Sequence, residues 1–267
     1  ATSDVETIDE SAFAGCKSLN EVEFLEVTSI GANAFTGCEN LNYIGIPNCK
    51  EIKDGAFKEC QNLECVEKQK QPEKEAYIYN SAFQNCSKLY KIYLDDCKTI
   101  GDNAFENCYK LSGNLNLNRC TSIGKEAFKN CSKIEKLTLE NCTKIGSDAF
   151  MNCGKLQHVY IKNPMEIKCR LDNDKVFHTE TNEVIPGILF YFNSDTYAHY
   201  TNESNARKLN WFPYIEYMVR MVDPNQVIYT SDDGKKIEEI VIPKFKAVTV
   251  FDVSQTTGEP LKEMAEE

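Results

Sequence analysis

Thirteen cysteines, three histidines and one acidic doublet are the residues of this 267-residue chain whose types could do chemistry. A cysteine nucleophile needs a base within hydrogen-bond reach, yet His158, His178 and His199 lie scattered over the last units and the cap, and no spacing ties any of them to a thiol. Zinc would ask for Cys-x-x-Cys or Cys–His spacing, and neither occurs. Asp172-Asn-Asp174 lacks the glycine and the distal glutamate of a calcium loop. Asn85-Cys-Ser, Asn130-Cys-Ser and Asn141-Cys-Thr are formal glycosylation sequons, but each overlaps a cysteine position expected to be buried, so they read as accidents. No catalytic residue, cofactor or metal ligand is assigned, and a non-enzymatic role is expected.

The register of the cysteines says what they do instead. Phe13, Phe35, Phe57, Phe83, Phe105, Phe128 and Phe150 follow one another at steps of 22, 22, 26, 22, 23 and 22 residues. Each has Ala directly before it, Ile five residues before it, Cys three after it and Leu, or once Ile134, six after it. Cys49, Cys97, Cys120 and Cys142 each stand eight residues before a Phe. Eleven cysteines thus occupy two ladders expected to be buried and reduced, the second able to donate weak hydrogen bonds to turn carbonyls. Cys65 and Cys169 fall outside both ladders.

A period of 20–50 residues marks a solenoid in which each unit packs on its neighbours. Around each Phe, the apolar offsets lie near one face of a 3.6-residue period and predict a short helical turn. The other half alternates, as in Leu41-x-x-Ile44-x-Ile46 and Leu89-x-x-Ile92-x-Leu94, and predicts a strand with one face buried. Strands near Val22, Ile44, Val66, Ile92, Leu115, Leu137 and Val159 should form one parallel sheet, roughly 29 Å long at about 4.8 Å per step. The run Ile30-Gly31…Ala34-Phe35…Cys38…Leu41 resembles the BspA-like leucine-rich repeats of bacterial surface proteins, over residues 5–162. The resemblance implies an α/β repeat solenoid with a parallel concave sheet and short helical turns. It also implies a cell-surface or secreted protein linked to adhesion, and it carries over no catalytic residue.

Residues 1–162 are read as seven repeats, 163–222 as an irregular excursion and a C-terminal cap, and 223–267 as a small β-rich extension with an acidic tail. Unit three carries a charged insertion with Pro72 and lacks an apolar residue where its neighbours place Ile46 and Leu94; unit five adds one residue, best absorbed at Gly113 as a bulge. The pattern breaks after Ile161. The excursion runs to 187, Ile188–Phe192 supplies one more strand, and an aromatic cluster around Trp211 resembles the closing unit of such solenoids. In the last stretch, Asp-Gly in Ser231-Asp-Asp-Gly234 predicts a hairpin turn. Only seven residues precede Ile8, too few for a capping unit, so further natural sequence before Ala1 is expected, a signal peptide at least.

Thirty basic against 41 acidic residues give a formal net charge of −11, which argues against nucleic acid or an anionic membrane as the main partner. The longest apolar run of the C-terminal half, Ile188–Phe192, is far below the roughly 20 residues of a membrane span, so no integral membrane segment is expected. What remains is the concave face, where Tyr43, Lys91, Tyr93, Asn116, Lys136, His158 and Tyr160 are the candidate binding residues. Exposed tyrosines there are either binding hot spots or β-favouring residues on a solvated sheet. The function read from the sequence is an extracellular or surface-attached recognition and adhesion domain binding a protein or glycan. The alternative is a structural spacer that presents another module.

Overall fold

The computed structural model describes residues 5–69, 75–163, 169–173, 175–221, 229–230, 236–240 and 249–252. Every repeat is one rung of a β-solenoid with two parallel ladders. One ladder, the long-strand face, uses Glu21–Glu23, Tyr43–Gly45, Cys65–Glu67 and Lys91–Ile92. It then resumes with Ser112–Leu117, Lys133–Leu139, His158–Ile161 and Leu189–Asn193. The other ladder runs unbroken through eight short strands from Thr7–Ile8 to Arg170–Leu171.

Between the ladders the phenylalanines form a column. Neighbouring rings from Phe13 to Phe177 stack at 5.0–5.3 Å between centroids with interplanar angles of 4–10°. All but the first of these rings are fully buried. An offset-parallel stack at this spacing follows from the inter-strand repeat, since identical side chains on consecutive rungs must lie about 4.8 Å apart.

The expected helical turns are not helices. Each unit bends twice through left-handed residues, two before and two after the Phe, as at Asn33 (φ 53°) and Gly37 (φ 68°) or Asn103 (φ 56°) and Asn107 (φ 64°). A right-handed helix has no room for such residues. Backbone donors consequently leave the unit: Phe35 N donates to Ala56 O at 2.7 Å and Phe57 N to Ala82 O at 2.7 Å. Short turn bonds remain inside, from i to i−3, such as Cys38 N to Phe35 O at 3.1 Å, and from i to i−2, such as Glu39 N to Gly37 O at 2.8 Å. Apolar spacings of four, one, three and three residues suit a chain of turns as well as a helix, and the Gly, Asn, Ser and Asp residues at the bends decide for turns.

The long-strand ladder is two sheets rather than the single sheet expected. Four strands end at Lys91–Ile92, and five begin at Ser112–Leu117. The extra residue of unit five is taken up at Gly113 (φ 81°), where the register shifts against the next strand. The break in the ladder falls beside this offset, between it and the two-residue strand of rung four.

The described part of 163–187 is not an irregular excursion but an eighth rung. Arg170–Leu171 pairs with Lys144–Ile145, Phe177 stacks on Phe150, and Leu189–Asn193 pairs with His158–Ile161. The bridge between His178 and Val184 loops out part of the extra length that hid this rung. Over it pack two short helices, α1 (Ser194–Thr201) and α2 (Glu203–Lys208), and a 3-10 turn, Phe212–Tyr217. Trp211, Tyr200 and Tyr214 are fully buried there: Trp211 Nε1 donates to Cys169 O at 2.9 Å, and Cys169 N donates to Tyr200 Oη at 2.8 Å. Met218–Met221 adds a final parallel strand onto Leu189–Asn193. Tyr229–Thr230, Lys236–Ile240 and Thr249–Asp252 form a three-stranded antiparallel sheet; its expected Asp-Gly turn, the Pro72 insertion and the acidic tail lie outside the described residues. Among the described residues no helix is long and apolar enough to cross a membrane.

Candidate functional site

All thirteen thiols are free. In the first ladder, from Cys38 onward, each Sγ donates to the Phe carbonyl of the rung before it: Cys60 to Phe35 O at 3.0 Å, Cys86 to Phe57 O at 3.0 Å and Cys131 to Phe105 O at 3.1 Å. In the second, Cys120 donates to Ser122 O at 3.2 Å and Cys142 to Lys144 O at 3.3 Å. Burial pushes Cys49 up to about 12 and Cys108 and Cys131 well above the thiol range. These are packing groups and not nucleophiles. Cys169, placed outside both ladders by sequence, belongs to the second: it stands eight residues before Phe177, is fully buried and lies against Cys142. Of the histidines, His178 Nδ1 meets Tyr214 Oη at 3.0 Å and His199 Nδ1 meets Asn205 Nδ2 at 3.2 Å, neither beside a thiol in these contacts. The sequon asparagines are engaged too, since Asn85, Asn107, Asn130 and Asn152 pass a hydrogen bond from rung to rung at 2.7–2.8 Å and Asn141 Nδ2 donates to Asn118 O at 2.6 Å.

The long-strand face gathers the seven candidate residues in two groups. On the first sheet, Tyr43 Oη donates to Glu23 Oε1 at 3.2 Å, and the ring lies over Gly45, where an added Cβ would stand 3.1 Å from Tyr43 Oη. Burial and this carboxylate raise the Tyr43 phenol. Lys91 is exposed, and Tyr93, half-buried, is pushed up to about 12 by burial and by Asp95 and Asp96. On the second sheet, Asn116 stands exposed one strand from Lys136, whose register partners are Asn114 and His158.

Lys136, Tyr160 and His158 form a continuous cluster with a residue the sequence did not single out, Tyr191. The Lys136 ammonium sits 4.4 Å from the centre of the Tyr160 ring. Tyr160 stacks on Tyr191 at 4.6 Å and 11°, and His158 Nδ1 meets Tyr191 Oη at 3.0 Å. Lysine and tyrosine come from the rungs on either side, so both faces of Tyr160 are occupied and its edge and hydroxyl face outward. Among the described residues Lys136 has no carboxylate partner. Tyr191 was missed because the looped-out residues of rung eight shift it from the tenth to the fourteenth place after its Phe; the alternation of Leu189–Asn193 was the available signal. A hollow of about 440 Å³ lined by Asp172, Asn173, Arg207, Asn210, Phe212 and Pro213 belongs to the C-terminal segment and holds none of the candidates.

The profile of the family described as "BspA type Leucine rich repeat region" matches residues 1–112 and 65–171, in six copies. The chain belongs to the BspA-type leucine-rich repeat family. The solved structure of the pneumococcal vaccine antigen PcpA is similar to this BspA-type chain at 18% identity and a TM-score of 0.51, covering 84% of it and 60% of PcpA. A Treponema pallidum leucine-rich repeat protein aligns at 22% identity over 61% of this chain and 73% of its own, with a TM-score of 0.41. A leucine-rich cell surface protein of Faecalibacterium prausnitzii A2-165 aligns at 18% identity over 70% and 64%, also with a TM-score of 0.41. At 18% identity PcpA speaks to fold alone. Comparison with curated protein sequences gave no match.

Proposed function

We propose that this BspA-type chain is a non-enzymatic recognition domain at the cell surface or outside the cell, binding its ligand through the long-strand face. The observation that carries this reading is the cluster of Lys136, His158, Tyr160 and Tyr191, four side chains from three consecutive rungs joined by one cation–π contact, one ring stack and one hydrogen bond. Tyrosines held rigid by neighbours cost little entropy when a partner docks, which is why they recur at binding hot spots. Tyr43, Lys91, Tyr93 and Asn116 extend the face toward the first rung. With both faces of Tyr160 taken, a sugar has no open ring there to stack on, which favours a protein partner over a glycan. In this reading rungs one to eight, through Leu189–Asn193, present the face, the two helices and the 3-10 turn that follow cap the eighth rung, and 223–267 form a separate extension. A spacer role draws on the unbroken phenylalanine column but leaves the cluster without a purpose.

The test is a binding screen of the purified chain against host matrix proteins and glycans. Tyr160→Ala and Tyr191→Ala should each weaken a captured ligand by about 30-fold, the effect of losing about 2 kcal/mol at a hot spot. A ligand whose affinity ignores both substitutions would place recognition elsewhere.

A further inference from the structure

The charges on the long-strand face are ordered. Reading one rung at a time, by register within each of the two sheets and by place after the Phe across the break between rungs four and five, the pairs on this face of the first six rungs are Glu21 and Glu23, Tyr43 and the buried Gly45, Cys65 and Glu67, Lys91 and Tyr93, Asn114 and Asn116, then Lys136 and the buried Thr138. In charge this is acid, neutral, acid, base, neutral, base. The series turns into its own opposite when read from the other end. A surface with that property is complementary to a second copy of itself turned end for end.

We propose that the partner of this face is a second copy of the same chain, docked face to face about a twofold axis that lies in the interface, parallel to the strands, between rungs three and four. This rests on the reading of the face as a binding surface and names the occupant of its first six rungs; Tyr160 and Tyr191, on rungs seven and eight, lie outside this contact. A twofold axis makes an isologous contact, in which each pairing occurs twice. It keeps the position along the strand and reverses the order of rungs. Glu21 then faces Lys136, Glu23 faces Thr138, Tyr43 faces Asn114, and Glu67 faces Tyr93 beside Lys91. The carboxylates bordering the face, Glu64 and Glu135, fall opposite Tyr90 and Asn20, so no like charges meet.

The molecule otherwise works against self-association, because a net charge of −11 on each copy repels the other. A local arrangement that offsets this must be specific, and its specificity lies in the order of charges. Six rungs at about 4.8 Å give a footprint at the small end of protein interfaces. The pairing is therefore transient, as suits contact between copies on opposing surfaces.

The experiment is sedimentation velocity over a concentration series with wild type and two charge-reversed chains, Glu21→Lys/Glu23→Lys/Glu67→Lys and Lys91→Glu/Lys136→Glu. All five positions are exposed or at the surface, and circular dichroism and melting temperature verify the fold of each variant. Wild type should dimerise, and each variant alone should associate at least tenfold more weakly. An equimolar mixture of the two should recover dimers, because one face is now wholly basic and the other wholly acidic. Reversals placed off the face, Glu10→Lys and Lys110→Glu, should leave wild-type association unchanged and give no such recovery. A wild type that stays monomeric to about 100 μM, or a mixture that stays monomeric, would overturn the dimer. If the monomeric chain still captured a ligand through Tyr160 and Tyr191, the recognition reading would stand without it.

Discussion

At the scale of single residues the core is held by two repeated groups, a ring and a thiol. Phe105 lies between Phe83 and Phe128 at 5.1 Å from each and is fully buried. Phe105→Ala should therefore lose about 3–5 kcal/mol in denaturant unfolding, the range for deleting a buried aromatic ring, and a loss under about 1 kcal/mol would mean the column is not the core. The thiols give a second check. Cys16 is exposed and Cys65 half-buried, while the other eleven are buried. A thiol reagent at neutral pH should label Cys16 readily, Cys65 more slowly because burial raises its thiol, and the rest only after denaturation; several native disulfides in non-reducing mass spectrometry would contradict this. Both roles were legible in the sequence because the Phe and Cys positions never slip relative to each other. Cys169 was not, since the looped-out length of rung eight broke the count that identifies its ladder.

At the scale of elements, units differ where a rung departs from the rule. Rung three has no apolar residue at the place of Ile46 and Leu94, a gap visible in the sequence. The structure fills it with Lys68, whose ammonium is buried against Asp96 at 3.1 and 3.2 Å, with side-chain exposures of 2% and 6%. Two charges taken from water recover their hydration only through each other, so removing one leaves the other stranded. Lys68→Met should cost about 3–5 kcal/mol, whereas Lys68→Met combined with Asp96→Leu should lie close to wild type or above it. Equal losses in single and double variants would rule out the pair as the reason. The turn half of each unit was misread as helical because hydrophobic spacing alone does not separate a chain of tight turns from a helix. The polar residues at left-handed positions, such as Asn85 (φ 65°) and Asn130 (φ 65°), carry the distinction. The strand half was legible from its alternation, and the division of its ladder was not, because one extra residue at Gly113 looks the same whether the sheet absorbs it or splits.

At the scale of the whole molecule, each rung bonds only to the rungs beside it, and among the described residues rung one pairs with rung two: Ala12, Ala14 and Cys16 are exposed where Ala34 and Cys38 are fully buried. The strands run across the long axis of the stack, so the bonds between rungs point along it. Tension applied through the two ends of the chain then pulls those bonds apart one row at a time instead of shearing a whole ladder together. Such a molecule yields by peeling. Each released unit of 22 residues adds about 75 Å of contour at 3.3–3.6 Å per residue. Single-molecule stretching should show a low-force series of near-equal extensions beginning at the first rung, and one cooperative rupture of the full chain would refute it. A stack built this way lengthens under load while most of its long-strand face stays folded, a property a compact domain of the same size lacks.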